Sequence, residues 1–218
     1  QAEKEEYIMK QIFGKSQSGN LKEAVRGISK PQFLMLFSNG DQFESHVREL
    51  EEIFPGVPSI GCIGMSYDTK VVEKGVGVVA FSEGVVAAAN VLEEVSVMPV
   101  KYIDRLEQDV NSVKGSHNDT VCIDLCSGND ACVLTTIYSV LKRRDISLVG
   151  GTGDAGKVSA NGRVYEDAVA YALVKNLGGR VKAYKENIYH QMKNYRFIAS
   201  ETDKANYIIG ALNGKPAK

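Results

Sequence analysis

One acidic residue, Asp124, lies in the middle of an otherwise apolar run at 120–126. Because side chains alternate along a strand, Asp124 is expected to share one face with Cys122 and Cys126. A carboxylate buried among apolar side chains costs free energy unless it is paired or hydrogen-bonded. The pattern is compatible with an acid–thiol site, and a structural Asp satisfied by hydrogen bonds is the alternative.

A glycine-rich segment at 151–157 matches two phosphate-binding patterns, GxGxxG and GxxxxGK. Both patterns bind phosphate at the N-terminus of a helix that follows the glycines. Here the next residues, 158–162, end in Asn161-Gly162, which is a hairpin signal, and Val158 stands where Mg²⁺ binding needs Ser or Thr. The segment is therefore predicted to be a glycine turn that links two strands, and no nucleotide cofactor is expected.

The cysteines and histidines do not form a recognisable catalytic or metal pattern. The four cysteines are Cys62, Cys122, Cys126 and Cys132. Their spacing lacks the CxxC pairs of a zinc site and does not resemble a disulfide framework, so buried, reduced thiols are expected. Such thiols suit a cytoplasmic protein. No GxSxG motif is present, and each histidine is predicted to be a surface or polar-network residue: His46, His117 and His190.

A repeated pattern provides the elements that would position these residues. An apolar run, a polar loop, a helical period and a glycine-containing segment occur twice, and Ser38 matches Ser127 while Gly61 matches Gly150 at the same spacing of 89 positions. Further strands are predicted near 76–82, 85–93, 166–175 and 179–185. The pattern predicts an α/β fold of mixed parallel/antiparallel sheets with flanking helices, built from internally duplicated β-α-β-β-β units.

The carboxyl ends of the predicted parallel strands form the candidate ligand site, because ligands of α/β sheets bind there. The candidate ligand-binding residues are Ser38, Asn39, Asp41, Gly61, Cys62, Gly64, Ser127, Asn129, Asp130, Gly150, Gly151, Gly153 and Asp154. The amide groups of the two glycine segments could receive the carboxylate of an α-amino acid. Its ammonium group would then be received by Asp41, Asp130 or Asp154. The glycines alone are also explained by close backbone approach or positive φ.

The predicted domain organisation follows from the repeat. Residues 1–29 are interpreted as an N-terminal helical leader, and 30–218 as a single domain. That domain consists of two repeats, at about 31–115 and 119–190, with a helix near 100–113 between their strands and a junction segment at 191–218. A start without Met and the abrupt end predict a piece of a longer protein.

Composition excludes several classes of partner. The 218 residues carry a net charge of -1 and 44% apolar residues, without a cluster of basic side chains. Nucleic acid is therefore not an expected partner. No run reaches the roughly 20 apolar residues that span a bilayer, so this segment is not expected to insert into a membrane.

Four short motifs resemble the N-terminal FIST domain. They are Pro-Ser-Ile-Gly-Cys-Ile-Gly at 58–64, Gly-Gly-Thr-Gly-Asp at 150–154, Val-Tyr-Glu-Asp at 164–167 and Leu-Asn-Gly-Lys-Pro-Ala at 212–217. The resemblance covers about 30–218 and implies a bacterial sensory input module that binds small ligands such as amino acids. It also implies an output partner such as a chemotaxis receptor, a histidine kinase or a diguanylate cyclase. The sequence departs from the family pattern at 189–192, where His-Gly and an aromatic residue are expected, and lacks the C-terminal FIST half.

Three hypotheses about function follow. The first is a non-catalytic sensory domain that binds a small ligand and signals to an output domain in the same or a partner chain. The second is an enzyme that uses Asp124, Cys126 or Asp154 at the strand ends. The third is an interaction scaffold in which residues 1–29 and the late hairpins dock a partner or a second copy, which leaves a homodimer open.

Overall fold

A computed structural model describes residues 8–64, 66–67, 70–128, 130–184, 189–190, 193–205 and 208–217, with the backbone alone at 66–67, 70–71 and 130–132. The chain divides into two compact units, 1–183 and 184–218. Within the described part of the chain, no helix combines the length and the apolar character that a bilayer span needs.

The first unit alternates strands and helices. Its strands are β1 (Lys10–Ser16), β2 (Phe33–Ser38), β3 (Ser59–Ile63), β4 (Ser66–Tyr67), β5 (Lys70–Val71), β6 (Val76–Glu83), β7 (Val85–Glu93), β8 (Thr120–Cys126), β9 (Ser147–Thr152), β10 (Asp154–Ala160), β11 (Arg163–Glu166) and β12 (Ala168–Asn176). Its α-helices are α1 (Leu21–Val25), α2 (Phe43–Ile53), α3 (Ile103–Ser112) and α4 (Asp130–Leu141), and short 3₁₀ turns occupy Pro99–Tyr102 and Lys142–Arg144.

Two mixed sheets organise this unit. The first has the order β1-β6-β2-β3-β10-β11, and the second has the order β7-β12-β8-β9. The pairs β2–β3 and β8–β9 are parallel, and the strands that flank β2 and β8, namely β6 and β12, are antiparallel to them. These pairings confirm the mixed parallel and antiparallel α/β fold that the sequence predicts.

Three apolar clusters show how the layers stack. In the middle cluster Phe33 and Ile60 of the first sheet pack against residues of the second sheet such as Ala170. A second cluster joins the outer face of the first sheet to α1 and α2, and a third joins the outer face of the second sheet to α3 and α4. The layers are therefore helix, sheet, sheet and helix, because strand alternation sends successive side chains to opposite faces.

The second unit contains three antiparallel strands. They are β13 (Ala199–Asp203), β14 (Ile208–Leu212) and β15 (Lys215–Pro216), in that order. Nearly all of their described residues are exposed, and Ala211 is the buried residue among them.

The N-terminal segment is not the helical leader that the sequence predicted. Residues 1–7 lie outside the described residues, and β1 pairs with β6 as an edge strand of the first sheet. Ile12, Gly14 and Ser16 alternate toward the protein, which is a strand period, and α1 is the only helix within 8–29, the described part of this segment. Gly14 allows the close approach of α1, since a Cβ there would lie 1.8 Å from the carbonyl oxygen of Ala24.

Two further predictions about the strands are wrong. The predicted strand at 179–185 does not occur, because residues 180–184 have no regular structure and 185 lies outside the described residues. Gly61, Gly150 and Gly151 lie inside β3 and β9 instead of forming turns. Their φ angles are not positive, so close approach of neighbouring atoms is the physical reason for glycine at 61 and 150. The Asn161-Gly162 hairpin is confirmed, with positive φ at both residues.

Strand pairing favours the internal duplication, which stays a prediction. Each β-α-β unit has an antiparallel strand on one side and a parallel strand on the other: β6-β2-β3 in one and β12-β8-β9 in the other. In this register Leu36 lies between Val78 and Gly61, as Asp124 lies between Tyr171 and Gly150. The counterpart of Asp124 is therefore Leu36, one residue from Met35, which the spacing of 89 selects.

Candidate functional site

The carboxyl ends of the two parallel strand pairs meet where the chain crosses between the sheets. Gly64 donates its amide hydrogen to Ser38, and Gly153 donates its amide hydrogen to Cys126, both at 2.9 Å. Gly153 joins β9 of the second sheet to β10 of the first, and a Cβ there would lie 2.7 Å from the Cβ of Cys62. At this crossing the residue that follows β9 thus lies against β3 of the first sheet.

A cavity of about 250 Å³ opens on the helix side of this edge in the second sheet. The described residues that line it are Asp124, Cys126, Leu134, Leu148, Gly150 and Gly151. Leu134 belongs to α4, whose first residue, Asp130, follows the end of β8 by four positions. The N-terminal end of α4 therefore lies at the same edge of the sheet, where its first amide groups have no partner within the helix.

Asp124 and Gly150 form a matched pair in the wall of this cavity. They are opposite each other in β8 and β9, and the Asp124 side chain is only 3% exposed. A Cβ at position 150 would lie 2.0 Å from the Asp124 carbonyl oxygen and 2.2 Å from its Oδ1. Glycine at this position is what lets the carboxylate lie flat against β9.

The thiols beside Asp124 share its face of the strand, as the alternation predicted. Cys126 donates its Sγ hydrogen to Oδ2 of Asp124 across 3.4 Å, and both side chains have further interactions. Burial raises the pKa of the Cys122 thiol well above its ordinary value, and the charges of Asp124 and Asp109 add to that shift. This face therefore holds neutral thiols next to one carboxylate.

The corresponding edge of the first sheet is filled by internal hydrogen bonds. Nε2 of His46 lies 2.8 Å from the carbonyl oxygen of Gly19, which can only accept, so Nε2 carries a proton. Nδ1 lies 2.7 Å from the Ser38 hydroxyl, which is also within 3.1 Å of the carbonyl oxygen of Asn39. Both Ser38 and His46 are buried, and together they tie β2 and α2 to the loop that precedes α1. His46 is thus a polar-network residue, as the sequence indicated.

Two more of the predicted binding residues hold the strand ends in place. The Asn39 side chain accepts from the amide of Gln42 at 3.0 Å and donates to the carbonyls of Lys74 and Gly75. Ser127 accepts from the amide of Ala168 at 2.8 Å through its hydroxyl. These hydrogen bonds within the chain account for the presence of both polar side chains without a bound ligand.

The remaining predicted residues are distributed around the edge. Asp41 and Asp154 are exposed, and Asp41 does not cap α2, whose N-cap is Gln42. Cys62 is buried between the sheets, where desolvation and then the charge of Asp154 raise its pKa to about 11. Asn129 lies outside the described residues, and of Asp130 only the backbone is described. Gly150 and Gly151 are the predicted residues that line the cavity.

The glycine-rich segment at 151–157 continues into β10 instead of a helix. Lys157 pairs with Glu44 at 2.8 Å and lies 3.5 Å from Glu166. The segment is therefore a strand crossover with its lysine held by two carboxylates. Among the described residues, no three His, Cys, Asp or Glu side chains are placed to hold a metal ion.

Sequence reasoning assigned Asp124 and Cys126 to the enzyme alternative and missed Leu134 and Leu148 altogether. Both leucines belong to ordinary apolar patterns, and nothing in such a pattern distinguishes a cavity wall from a packed core. Asp124 could be recognised from the sequence, because a carboxylate within an apolar strand costs free energy unless it has partners.

Comparison with known proteins gives one family for this architecture. The family model described as the FIST N domain matches residues 32–215. None of the curated protein sequences compared with the chain matches it.

Proposed function

Because the chain belongs to the FIST N family of sensory signal-transduction domains, we propose that it detects a small ligand in the cavity beside Asp124 and that this ligand carries a cationic amine. The observation that carries the proposal is the buried Asp124 carboxylate in the wall of that cavity. This carboxylate accepts from the Cys126 thiol and has a further interaction, and a bound ammonium group would add a charge-assisted hydrogen bond to it.

The size and lining of the cavity favour a ligand of few heavy atoms. Its volume of about 250 Å³ lies just below the range of roughly 300–1,000 Å³ that is usual for drug-sized ligands. Leu134 and Leu148 supply apolar surface, while the Gly150 and Gly151 backbone leaves room beside Asp124. An amine with a short apolar group satisfies both features.

The proposal extends to an α-amino acid. The amides of Gly64 and Gly153, which the sequence offered as carboxylate donors, are already hydrogen-bonded within the sheets. The N-terminal end of α4 supports an acid group instead, because its first amide groups and its dipole favour an anion at this edge. In this arrangement Asp124 takes the place of Asp41, Asp130 and Asp154 as the ammonium partner.

A ligand panel and two matched variants test this proposal. Thermal unfolding is followed with α-amino acids, with amines that lack the carboxylate, and with carboxylic acids that lack the amine. We expect α-amino acids to raise the midpoint most, because the linked binding free energy stabilises the folded state. In Asp124→Asn, affinity should fall roughly 30-fold, which corresponds to about 2 kcal/mol for one charged hydrogen bond.

The control variant is Asp41→Asn, which removes an exposed carboxylate near the other strand end and should bind as the parent chain does. An Asp124→Asn variant that binds with unchanged affinity would contradict the assignment of the ammonium partner. A panel in which no amine raises the midpoint would contradict the proposed ligand class.

The enzyme alternative has one observation in its favour, the contact between Cys126 and Asp124. That contact makes Cys126 a poor nucleophile, because the thiol holds its proton and the adjacent carboxylate disfavours a thiolate. Asp154 is exposed and is not among the residues that line the cavity. These features support a sensory rather than a catalytic role for the site.

We propose that the signal passes to an output module in the same or a partner chain, of the kinds that the family resemblance implies, with chemotaxis among them. A cytoplasmic location is supported by the cysteines, since the thiols of Cys62, Cys122 and Cys126 are buried and in the reduced form. Co-purification of the tagged chain with a receptor, kinase or cyclase tests the output partner.

A further inference from the structure

One strand of the second sheet has an unpaired side. β9 lies at the end of the order β7-β12-β8-β9, and β8 is its neighbour. Because Gly153 donates its amide to β8, the alternation of a strand directs the amides of Leu148, Gly150 and Thr152 away from β8. No residue in the described part of the chain is hydrogen-bonded to these outward groups.

The opposite edge of the same sheet is blocked. On β7 the outward carbonyls of Ala89 and Val91 accept from the side chains of Asn161 and Arg105, at 2.9 and 3.1 Å. The amide of Glu93 donates to the Tyr102 hydroxyl at 3.0 Å. A side chain thus occupies one outward backbone group at each of these three alternate residues, which obstructs the pairing of a further strand along 89–93.

The edges of the first sheet are also protected. β1 carries Lys10 and Lys15 and has an irregular register at Lys10, while β11 is four residues long and carries Arg163 and Glu166 at its ends. Charge, bulges and short length are the devices by which proteins keep edge strands from pairing. β9 has none of them, since its sequence Ser-Leu-Val-Gly-Gly-Thr is uncharged and its last four residues are exposed.

The corresponding strand of the first sheet shows what such an edge accepts. β3 matches β9 in the two β-α-β units, and its outward side is paired with the antiparallel strand β10. Gly61 lies opposite Ser159 in that pair, and a Cβ at position 61 would meet the Ser159 hydroxyl oxygen at 2.7 Å. Within the chain an antiparallel strand therefore completes β3, whereas the matching side of β9 is open.

We infer that β9 is a self-association surface, on which β9 of a second copy of this chain pairs in the antiparallel direction. A two-fold axis at Gly150 makes Gly150 face its own copy and makes Leu148 face Thr152, so that the outward amides of each copy donate to the outward carbonyls of the other. On the opposite face, Val149 of each copy lies over Gly151 of the other. Val149 is 37% exposed, and Gly151 has free space where a side chain would be.

This pairing joins the two second sheets into one continuous sheet of twice the width. The cavities beside the two Asp124 residues then lie next to each other across the axis, because Gly150 lines each cavity. The inference does not rest on the proposed ligand, since the edge and its register are properties of the strand alone. Its tests measure mass and cross-linking without a ligand.

The first test compares two lysine variants by sedimentation of the full chain. The parent chain should sediment at twice the mass of one chain, and Val149→Lys should be a monomer, because two lysines would lie about 7–8 Å apart across the axis. The control is Val86→Lys, which changes a valine that is 40% exposed on the blocked strand β7 and should remain a dimer. A parent chain that is a monomer at its highest soluble concentration overturns the inference and leaves the edge to an extended peptide of another protein.

The second test reads the register. Val149→Cys and Gly151→Cys are made as separate proteins in a Cys132→Ser background, and a Cβ at position 151 has no atom within 4 Å. Mixed under oxidising conditions, the two variants should form a disulfide-linked heterodimer, because this pair lies about 4.5 Å apart between Cα atoms. Each variant alone should cross-link far less. Equal cross-linking in the mixture and in the single proteins overturns the proposed register.

Discussion

The two β-α-β units of this chain share one pairing pattern, and one corresponding pair of facing residues is apolar in the first unit and charged in the second. In the first β-α-β unit Leu36 lies opposite Gly61 and packs against apolar residues of α1 and α2. Asp124 opposite Gly150 occupies the matching place in the second unit, beside a cavity. The same strand geometry thus produces a packed core in one unit and a candidate binding site in the other.

In both β-α-β units the role of the glycine depends on the residue that faces it on the neighbouring strand. Gly61 and Gly150 each give room to the residue opposite, but Leu36 uses that room for dispersion contacts and Asp124 for a charge. The edges differ in the same direction, since β10 completes β3 while β9 remains open. The cavity beside Asp124 and the open edge of β9 therefore both belong to the second β-α-β unit.

Exchanging the two residues should have the largest effect. In Leu36→Asp, a carboxylate enters a closed apolar cluster, and the free energy of unfolding should fall by about 4 kcal/mol. In Asp124→Leu the loss should be smaller, about 1–2 kcal/mol, because the variant gives up the hydrogen bond from Cys126 but places its apolar side chain beside an open cavity. Urea unfolding of both variants gives the comparison. Equal losses of stability would contradict the assignment of a closed core to one unit and an open site to the other.

Alanine at three glycines should rank the close approaches. Gly150→Ala places a Cβ against the backbone of Asp124 and should cost roughly 3 kcal/mol of unfolding free energy. Gly61→Ala should cost roughly 1–2 kcal/mol, since one of its contacts is the movable Ser159 side chain. Gly151→Ala is the control and should lie within about 0.5 kcal/mol of the parent chain, because its Cβ meets nothing within 4 Å. A Gly150→Ala variant as stable as the control would disprove the matched pair with Asp124.

Cys62 corresponds to Gly151 of the second β-α-β unit. Ionisation of its thiol should make the free energy of unfolding depend on pH in the alkaline range. Its pKa is raised by burial from 9.0 to about 11, so the folded state holds the proton more tightly than the unfolded state. Its contribution is therefore complete below pH 9 and is lost as the pH rises through 11, to an extent of roughly 2–3 kcal/mol. The measurement is urea unfolding from pH 8 to 11 of the parent chain and Cys62→Ala. Parallel pH profiles of the two proteins would show that Cys62 does not titrate in this range.

Much of the fold could be predicted from local patterns. Continuous apolar runs identified β2 and β8 as buried strands, and the Asn161-Gly162 signal identified the hairpin between β10 and β11. The error at β1 has a physical cause: a short segment with mixed polarity is decided by the strand beside it, β6, and no local pattern records that neighbour. Gly61, Gly150 and Gly151 were assigned to turns although they lie inside β3 and β9, because close approach depends on residues distant in sequence.

The candidate site was predictable only in part. The sequence identified Asp124 as a candidate, because a carboxylate within an apolar strand is costly. The strand alternation also placed it correctly on the same face as Cys122 and Cys126. Ser38 and Asn39 look equally suited to binding in sequence, yet their hydrogen bonds with His46, Gln42 and the 74–75 backbone use these side chains inside the protein.

By itself the sequence determined the kinds and order of most elements after β1, the mixed α/β class and the family, because these depend on side-chain period and on short motifs along the chain. The tertiary structure alone decided which polar residues are occupied by internal partners, which glycine faces a carboxylate and which sheet edge is open. The physical reason is that burial and hydrogen bonding are properties of neighbours in space. Leu36 and Asp124 occupy the same place in two similar β-α-β units, and their neighbours in space show that Leu36 belongs to a closed core whereas Asp124 lines a cavity.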